Sequence, residues 1–481
     1  MNVSKGITPR AKDFAQWYND VIMRAELADY APVRGCMVIR PWGFRIWELM
    51  QQGLDGMFKA TGHQNAYFPL LIPQSFLEKE AEHVEGFAPE TAVVTRAGGK
   101  ELEEPLVVRP TSETIIYAML TKWIQSYRDL PVLLNQWVNV VRWEMRTRLF
   151  IRTTEFLWQE GHTAHATQEE AEEETKRMLG VYRTFMEEWM ALPVLTGVKT
   201  PLEKFAGAVR TYAVEGLMQD NRALQLGTSH FLGQNFAKAF GTQFQTAEGG
   251  MEYVWSTSWG ASTRLIGGLI MAHSDDIGLI CPPKLAPLQV IVVPIWKTAE
   301  DRTKVMEVAA QIRQELAQSD IRVDVDQRDG MKPGAKYYEW EGRGVPVRLE
   351  IGPRDVAGSQ AMLARRTGGK EPVPLEDVVQ LVGKALDDIQ TGLCETARER
   401  REAESLRGAT KDQLIERMEG RAGFVYAGFC GSEACELAIK ERTKATIRVL
   451  PDVEFQSAET PSECVWCGEK ATTEAVWAKA Y

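Results

Sequence analysis

Two groups of residues in this chain have types and spacings that could do chemistry. The denser group runs from residue 142 to residue 160. Arg142 and Glu144 close an apolar run, and Arg152, Phe156 and Glu160 follow at intervals of four. Two arginines brought together by a hairpin make a clamp for phosphate oxygens, because guanidinium is always charged and donates in a bidentate fork. A flat ring such as Phe156 offers a face on which a base can stack. On residues alone, a solvated charged hairpin with one core aromatic is an equally good reading. The second group is Cys430-x4-Cys435 with Cys464-x2-Cys467. Four thiolates in two close pairs suit tetrahedral zinc with no open position, which makes the site structural. Four free thiols, or a redox-active C-x-x-C, are the alternatives. Glu160, His162 and His165 do not follow the helical H-E-x-x-H arrangement, and a chain with six histidines leaves little for a second metal cluster. Cys36, Cys281 and Cys394 are scattered and fit core or incidental positions.

Residues 328–370 hold nine Lys or Arg against five Asp or Glu, with Tyr337, Tyr338 and Trp340 among them. Basic residues interleaved with aromatics fit contact with unstacked RNA bases, and a solvated surface is the competing reading. The chain as a whole is acidic, with 56 basic and 66 acidic residues and a net charge of −10. It is therefore not a general polyanion binder, and any nucleic-acid contact must use a local basic surface. Its 481 residues, 44% hydrophobic and 25% charged, exclude disordered, collagenous and coiled-coil classes. Seven cysteines are too few for a disulfide scaffold. No apolar run reaches the ~18 residues of a membrane span, and the N-terminus has no apolar signal core. A reduced, cytoplasmic protein of about three domains is expected.

The elements that must position these residues follow from periodicity. Residues 43–58 place Phe44, Trp47, Leu54, Met57 and Phe58 near one helical face, with Gly62 as the stop. Residues 66–73, broken by Pro69 and Pro73, suit an edge strand. Residues 132–145 and 154–160 read as strands, which puts Arg142 and Glu144 on one face of the first. Thr167 to Glu170 forms a capping box ahead of a helix that ends at Leu192-Pro193. Segments 211–215, 223–228, 241–246 and 251–259 read as strands, and 264–273 as a buried helix. Three prolines within 282–287 mark a boundary. Beyond it, strands at 290–296, 321–326 and 345–352 alternate with helices at 300–318 and 375–390, which predicts an α/β domain with a mostly parallel sheet. Residues 396–422 read as a charged helical stretch.

Taken together, R-x-E, a loop, and R-x-x-x-F-x-x-x-E resemble motif 2 of the class II aminoacyl-tRNA synthetases. Arg264, opening an apolar helix after VWSTSWG, resembles the motif 3 arginine. The long helix before AYFPLLIP resembles motif 1, which builds the dimer interface in that class. The finer likeness is to prolyl-tRNA synthetases of the archaeal and eukaryotic type. It is carried by RPTSET at 109–114, NVVRWE at 139–144, RTTEFLWQEGHTAH at 152–165, LGTSHFLGQNF at 226–236 and SWGASTR at 258–264.

This resemblance implies an α+β class II catalytic domain over 1–284, an antiparallel sheet flanked by helices. An α/β anticodon-binding domain over 285–395 and a small α/β zinc-binding domain over 396–481 would follow. It implies a cytoplasmic homodimer that activates L-proline with ATP and Mg2+ and transfers it to the 3′ end of tRNA(Pro). The catalytic arginines would be Arg142 and Arg264. ATP would be held by Arg142, Glu144, Arg152, Thr153, Phe156, Gln225, Thr228, Ser262 and Arg264. Proline would be held by Thr111, Glu113, Arg142, Trp158, Glu160, His162, Phe205 and His230. Lys336, Glu341, Arg348, Asp355 and Lys370 would face the anticodon. The chain end EAVWAKAY would return the carboxylate of Tyr481 toward the active site. Threonine, histidine or glycine ligases of the same class, and a non-catalytic synthetase-like RNA binder, are the competing readings. Only 100 positions separate Glu160 from Gly260 (260 − 160), too few for a large inserted editing domain.

Overall fold

Period-two alternation through residues 132–165 builds the centre of the molecule. In the computed structural model, which describes residues 6–81, 91–459 and 461–481, strands Val132–Val141 and Glu155–His165 pair antiparallel, Val140 opposite Phe156 and Gln136 opposite Glu160. Trp255–Ser262, Ala223–Gly233, Arg210–Leu217 and Val194–Val198 add successively on the far side of Glu155–His165, all antiparallel. Gln64–Asn65 joins the outer edge of Val132–Val141 in parallel. This seven-stranded set agrees with the antiparallel sheet expected for the N-terminal part. A separate three-stranded sheet contains Leu71–Pro73, which is as much of the 66–73 run as forms a strand.

Helices cover the sheet because their apolar stripes need a partner. Pro41–Ala60 buries Ile46, Trp47, Met50, Leu54 and Phe58. Gln168–Glu188 starts at the Thr167 and Glu170 capping box and buries Met178, Tyr182, Phe185 and Met186. Arg264–His273 is buried at every position after the first. Gly161 lies under the Trp259 ring, where a Cβ would sit 2.1 Å from ring carbons.

The second unit has strand order 323–325, 290–294, 347–351, 360–365, 370–374. Two pairs are parallel and two antiparallel. The sheet is therefore mixed, not mostly parallel. The cause is Gly358 and Ser359, which end the short helix Pro353–Ala357 and return the chain as a hairpin-like neighbour without a crossover helix.

Two further expectations are corrected. The helix expected at 375–390 runs unbroken as Val378–Ala403, because no proline interrupts it and Gly392 is tolerated on an open face. The stretch 396–422 is then split by strand Ser405–Leu406 before the Thr410-capped helix Lys411–Glu419.

The C-terminal strands do not form an isolated sheet. Thr446–Pro451 pairs with Val194–Val198, so the order 405–406, 424–429, 473–478, 446–451 continues the N-terminal sheet to eleven strands. At the seam, Glu215 is fully buried between Lys199 Nζ at 2.8 Å and Arg448, which donates through Nε at 3.1 Å and a second nitrogen at 2.9 Å. Burial pushes the Glu215 carboxyl up, but the two cations outweigh it and hold it below the usual range. Glu215→Ala would leave two buried cations without a counter-charge, at a cost of ~3–5 kcal/mol. Urea titration of wild type and variant measures it. A loss under ~1 kcal/mol would show that the seam does not depend on this carboxylate.

Candidate active site

Alternate residues of a strand share a face. Along Glu155–His165 that face carries Phe156, Trp158, Glu160 and His162. Register places Thr211, His230, Ser258 and His162 in one row across four strands. Thr228, Gly260, Glu160 and Gln136 form the next row. These rows floor a cavity of about 500 Å³. Thr111, Glu113, Arg142, Trp158, Glu160, His162, Phe205 and His230 all line it, together with Gln225 and Thr228.

Its floor is polar and largely satisfied. Glu160 accepts from Ser112 Oγ at 2.5 Å, Gln136 Nε2 at 2.6 Å, and the Ser112 backbone N–H at 3.2 Å. His162 Nε2 lies 3.0 Å from Glu160. Thr111 Oγ1 donates to Glu113. His230 Nδ1 meets Thr211 Oγ1 at 2.9 Å. Burial, followed by the charges of His162 and Arg142, pushes His230 down to about 3, so its ring is neutral. The Phe205 ring stands 5.0 Å from that of His230. Trp158 Nε1, His162 Nδ1 and Ser258 Oγ are buried without a hydrogen-bond partner among the described residues. Such groups suit a small polar ligand with an apolar body.

A second cavity of about 240 Å³ is lined by Arg142, Glu144, Arg152, Thr153, Phe156, Ser262 and Arg264. Arg142 lines both cavities. Its Nε donates to Pro110 O at 2.9 Å, and its backbone N–H to Thr154 O at 2.9 Å. Arg264 opens its helix at the end of the strand, with Nε donating to Ile151 O at 3.1 Å. Burial pushes Arg264 down to about 10, and the neighbouring Arg142 and Arg152 push the same way. Three guanidinium groups held against mutual repulsion suit a polyanion such as a polyphosphate. The strand expected through residue 145 stops at Val141. Arg142 and Glu144 therefore leave the sheet instead of sharing a strand face. Glu144 faces Arg152 at 3.6 Å and accepts from the Arg146 backbone. Gln225 and Thr228, expected with the nucleotide, line the larger cavity, although Gln225 O does accept from Arg264 at 3.4 Å.

Sequence reasoning missed Ser112 and Gln136, which hold Glu160, and Thr211, which fixes His230. It also missed the cavity-lining Glu203 and Lys204. Ser112 lies inside the RPTSET segment and could have been read from it. The others carry no local signal, because strand register and a loop bring them in.

Elsewhere, the sulfurs of Cys430, Cys435, Cys464 and Cys467 all lie within 4.8 Å of one another. Cys430 is 3.7 Å from Cys435 and 3.9 Å from Cys467. Thiolates each ~2.3 Å from a common tetrahedral zinc stand ~3.8 Å apart, so the set fits that ion. Partial burial pushes the Cys464 thiol up, but backbone N–H groups of Cys467 and Trp466 prevail and bring it to about 7.

Among the anticodon candidates, Lys336 already has its partners within the fold. It is buried, donates to Asp326 O at 2.9 Å, and pairs with the Asp326 carboxylate at 3.4 Å, because a counter-charge lies inside the fold. Arg348 joins Glu341 at 2.6 Å and Glu350 at 3.1 Å, and Lys370 joins Glu350 at 2.6 Å. Asp355 accepts from the Gly352 N–H at 2.8 Å, which caps a short helix. The chain end is docked. Tyr481 N–H donates to Ala223 O at 3.2 Å, and its ring lies between Arg222 at 4.8 Å and Arg148 at 5.3 Å.

Comparison with known proteins agrees with this geometry. Residues 94–273 match the tRNA synthetase class II core domain (G, H, P, S and T), 289–385 the anticodon binding domain, and 411–481 the prolyl-tRNA synthetase C-terminal domain. A proline–tRNA ligase of Prosthecochloris aestuarii is 56% identical over 485 residues, covering 100% of both chains. One from Chlorobium phaeobacteroides is 57% identical over 481 residues, covering 99% of both. The chain belongs to the prolyl-tRNA synthetases. A crystal structure of the prolyl-tRNA synthetase from Cryptosporidium parvum, complexed with halofuginone and AMPPNP, superposes with a TM-score of 0.94 at 39% identity, with 99% of each chain covered. As in any prolyl-tRNA synthetase, the reaction is ATP-dependent ligation of proline to tRNA. No editing domain is inserted between the motif 2 and motif 3 segments, since residues 161–259 are taken up by the helix Gln168–Glu188, the sheet strands already described, the short helix Asn235–Phe240 and the small hairpin Gln243–Gln245 with Met251–Tyr253. Among the described residues, no helix is long and apolar enough to cross a membrane.

The Glu160 and His162 pair sets a pH dependence. Burial disfavours both charges, but their contact outweighs it, holding Glu160 below and His162 above its ordinary value. The carboxylate's contribution exists above the unfolded glutamate value near ~4.3 and is lost as pH falls through the folded value. The imidazolium's contribution is full below the unfolded histidine value near ~6.5 and is lost as pH rises through the folded one. The pair therefore stabilises most between about pH 4.3 and 6.5. His162→Gln should flatten the fall in thermal midpoint on the alkaline side of this window. An unchanged slope would remove the pair from the pH response.

Proposed function

We propose that the chain is a prolyl-tRNA synthetase of the archaeal and eukaryotic type, with proline in the larger cavity and ATP in the smaller. The observation that carries this reading is Arg142, which lines both cavities. A carboxylate in one and an α-phosphate in the other would meet at its guanidinium. A proline carboxylate oxygen would attack the α-phosphorus, pyrophosphate would leave, and the adenylate would remain across the junction. Displacement at phosphorus needs in-line placement and charge neutralisation more than a covalent group from the protein. The prolyl group would then pass to the 3′-terminal hydroxyl of tRNA(Pro).

The roles follow from chemistry. Glu113, bonded to Thr111, would receive the secondary ammonium, while Trp158 and Phe205 would pack the pyrrolidine ring. Glu160, His162 and His230 would shape the polar floor, with Gln225 and Thr228 at the junction. Phe156 would stack on adenine and Glu144 would accept from its amino group. Arg152 and Arg264, with Thr153 and Ser262 beside them, would hold the outer phosphates. ATP would bring Mg2+, which neutralises phosphate charge. Catalysis would thus rest on Arg142 and Arg264.

We further assign 1–284 to catalysis, 285–395 to the anticodon and 396–481 to a C-terminal zinc domain. Glu341, Arg348, Asp355 and Lys370 remain the anticodon candidates, and Lys336 would act by positioning its helix. A homodimer through the Pro41–Ala60 helix region, cytoplasmic residence, and a Tyr481 carboxylate acting beside the active site complete the reading.

Arg142→Ala tests it. Loss of a charge-assisted contact aimed at the transition state should cost ~3 kcal/mol or more in proline-dependent pyrophosphate exchange, about a hundredfold, with the fold intact. Near-normal exchange would overturn the assignment of both cavities.

Zinc is tested separately. Its role when bound is structural, closing the loops that bear the four cysteines. Elemental analysis of protein purified without chelators should give about one zinc per chain, and Cys464→Ser should reduce it. Four titratable thiols with no zinc would exclude the site.

A further inference from the structure

One wall of the larger cavity comes from a loop outside the sheet. Residues 199–206 leave strand Val194–Val198 and bring Glu203, Lys204, Phe205 and Ala206 to the cavity. From inside, this wall is fixed at its far end. The Phe205 N–H donates to Thr211 Oγ1 at 3.0 Å, the hydroxyl that also meets His230. The near end is fixed from outside, by the C-terminal domain. Thr200 Oγ1 donates to Glu436 Oε1 at 2.8 Å, with both residues buried. Lys440 Nζ donates to Glu203 Oε1 at 3.1 Å. Thr200 O in turn accepts the backbone N–H groups of Glu203 at 3.1 Å and Lys204 at 2.9 Å, so a displaced Thr200 would carry the wall with it.

Glu436 and Lys440 are four residues apart on the helix Glu433–Thr443 and therefore share a face. Cys435, one of the clustered cysteines, is on the same helix. Neither Glu436 nor Lys440 lines either cavity. We infer that Glu436 and Lys440 are positioning residues for the amino-acid pocket: a helix of the C-terminal domain holds residues 199–206 in place and so sets the affinity for proline. The inference rests on the reading of the larger cavity as the proline site.

The two contacts differ in weight. Glu436 is 3% exposed, and its bond to Thr200 excludes water. Lys440 has 49% of its side chain exposed, and such pairs are weak. Removing the Glu436 acceptor should therefore raise the Michaelis constant for proline about tenfold, the scale of one charge-assisted hydrogen bond. Lys440→Ala should raise it about twofold. The turnover number and the Michaelis constant for ATP should stay within twofold, because ground-state and transition-state binding of proline are weakened alike.

The experiment is pyrophosphate exchange on the full-length chain, with proline and ATP varied separately. The variants are Glu436→Ala, Glu436→Gln and Lys440→Ala, with Phe205→Ala as the direct pocket variant. The expected result is a proline-selective rise in Glu436→Ala that Glu436→Gln reverses, since its amide oxygen still accepts from Thr200. An unchanged constant in Glu436→Ala while Phe205→Ala raises it would overturn the positioning role and leave the pocket reading intact. An unchanged constant in Phe205→Ala would overturn both. Equal losses for proline and ATP in Glu436→Ala, or no recovery in Glu436→Gln, would reduce the contact to a folding element and overturn the inference.

Discussion

Arg142, Arg152 and Arg264 are held around one small cavity, and like charges so placed repel. Desolvation adds to the cost, which is why Arg264 stands at about 10 instead of at the usual arginine value. The fold answers this with acceptors fixed in advance. Carbonyl oxygens of Pro110, Ile151 and Gln225 take N–H groups of Arg142 and Arg264. The fields of Glu113 and Glu160 offset part of the burial penalty on Arg142. All three arginines line the smaller cavity. An anionic ligand there removes the repulsion that the resting protein carries, and preorganisation of this kind acts without reorganisation during reaction.

The same logic explains the density of bonds on Glu160. A carboxylate buried beneath the larger cavity cannot rely on water, so Ser112, Gln136 and His162 surround it. These three come from a helix N-terminus and two neighbouring strands. The floor can therefore exist only after the sheet has reached its register, because a slip of one residue would turn every side chain of a strand to the opposite face.

This dependence also decides what could be read in the sequence. Phe156, Trp158, Glu160 and His162 alternate along one strand, and the capping box at Thr167 is local, so both are visible in the chain. The joining of Thr211, His230, Ser258 and His162 is not, since register across four strands creates it. Likeness to known synthetases supplied most of the cavity residues that periodicity could not. A count of basic residues does not register that Lys336 is paired with a buried Asp326. Hydrophobic pattern ended a helix near residue 390, and without a breaker the helix ran on to Ala403. The merging of the C-terminal strands with the main sheet had no local signal. It needs Gly197, where a Cβ would lie 2.2 Å from Leu450 O, and a strand glycine marks a bulge or a sharp bend just as often as a close backbone neighbour.

That merger separates the two appended units by how they are attached. The domain beginning near residue 285 meets the N-terminal part mostly through side chains: Trp42 donates to Arg343 O at 3.0 Å, Arg366 pairs with Asp275 at 2.6 Å, and the Arg24 guanidinium covers the Tyr338 ring at 3.7 Å, with one backbone bond, Leu279 N–H to Gly342 O at 3.1 Å, beside them. Arg366 is nearly fully buried in this pair, so the seam is specific, but no strand of this unit joins the N-terminal sheet. The C-terminal strands instead share backbone hydrogen bonds and the buried Lys199, Glu215 and Arg448 triad with the sheet that floors the cavity. Movement there would expose paired charges and break ladder bonds together. The domain that holds the clustered cysteines is thus mechanically part of the catalytic sheet, although it lends no side chain to either cavity. The domain with the candidate anticodon residues has its own five-stranded sheet and shares no strand with that one.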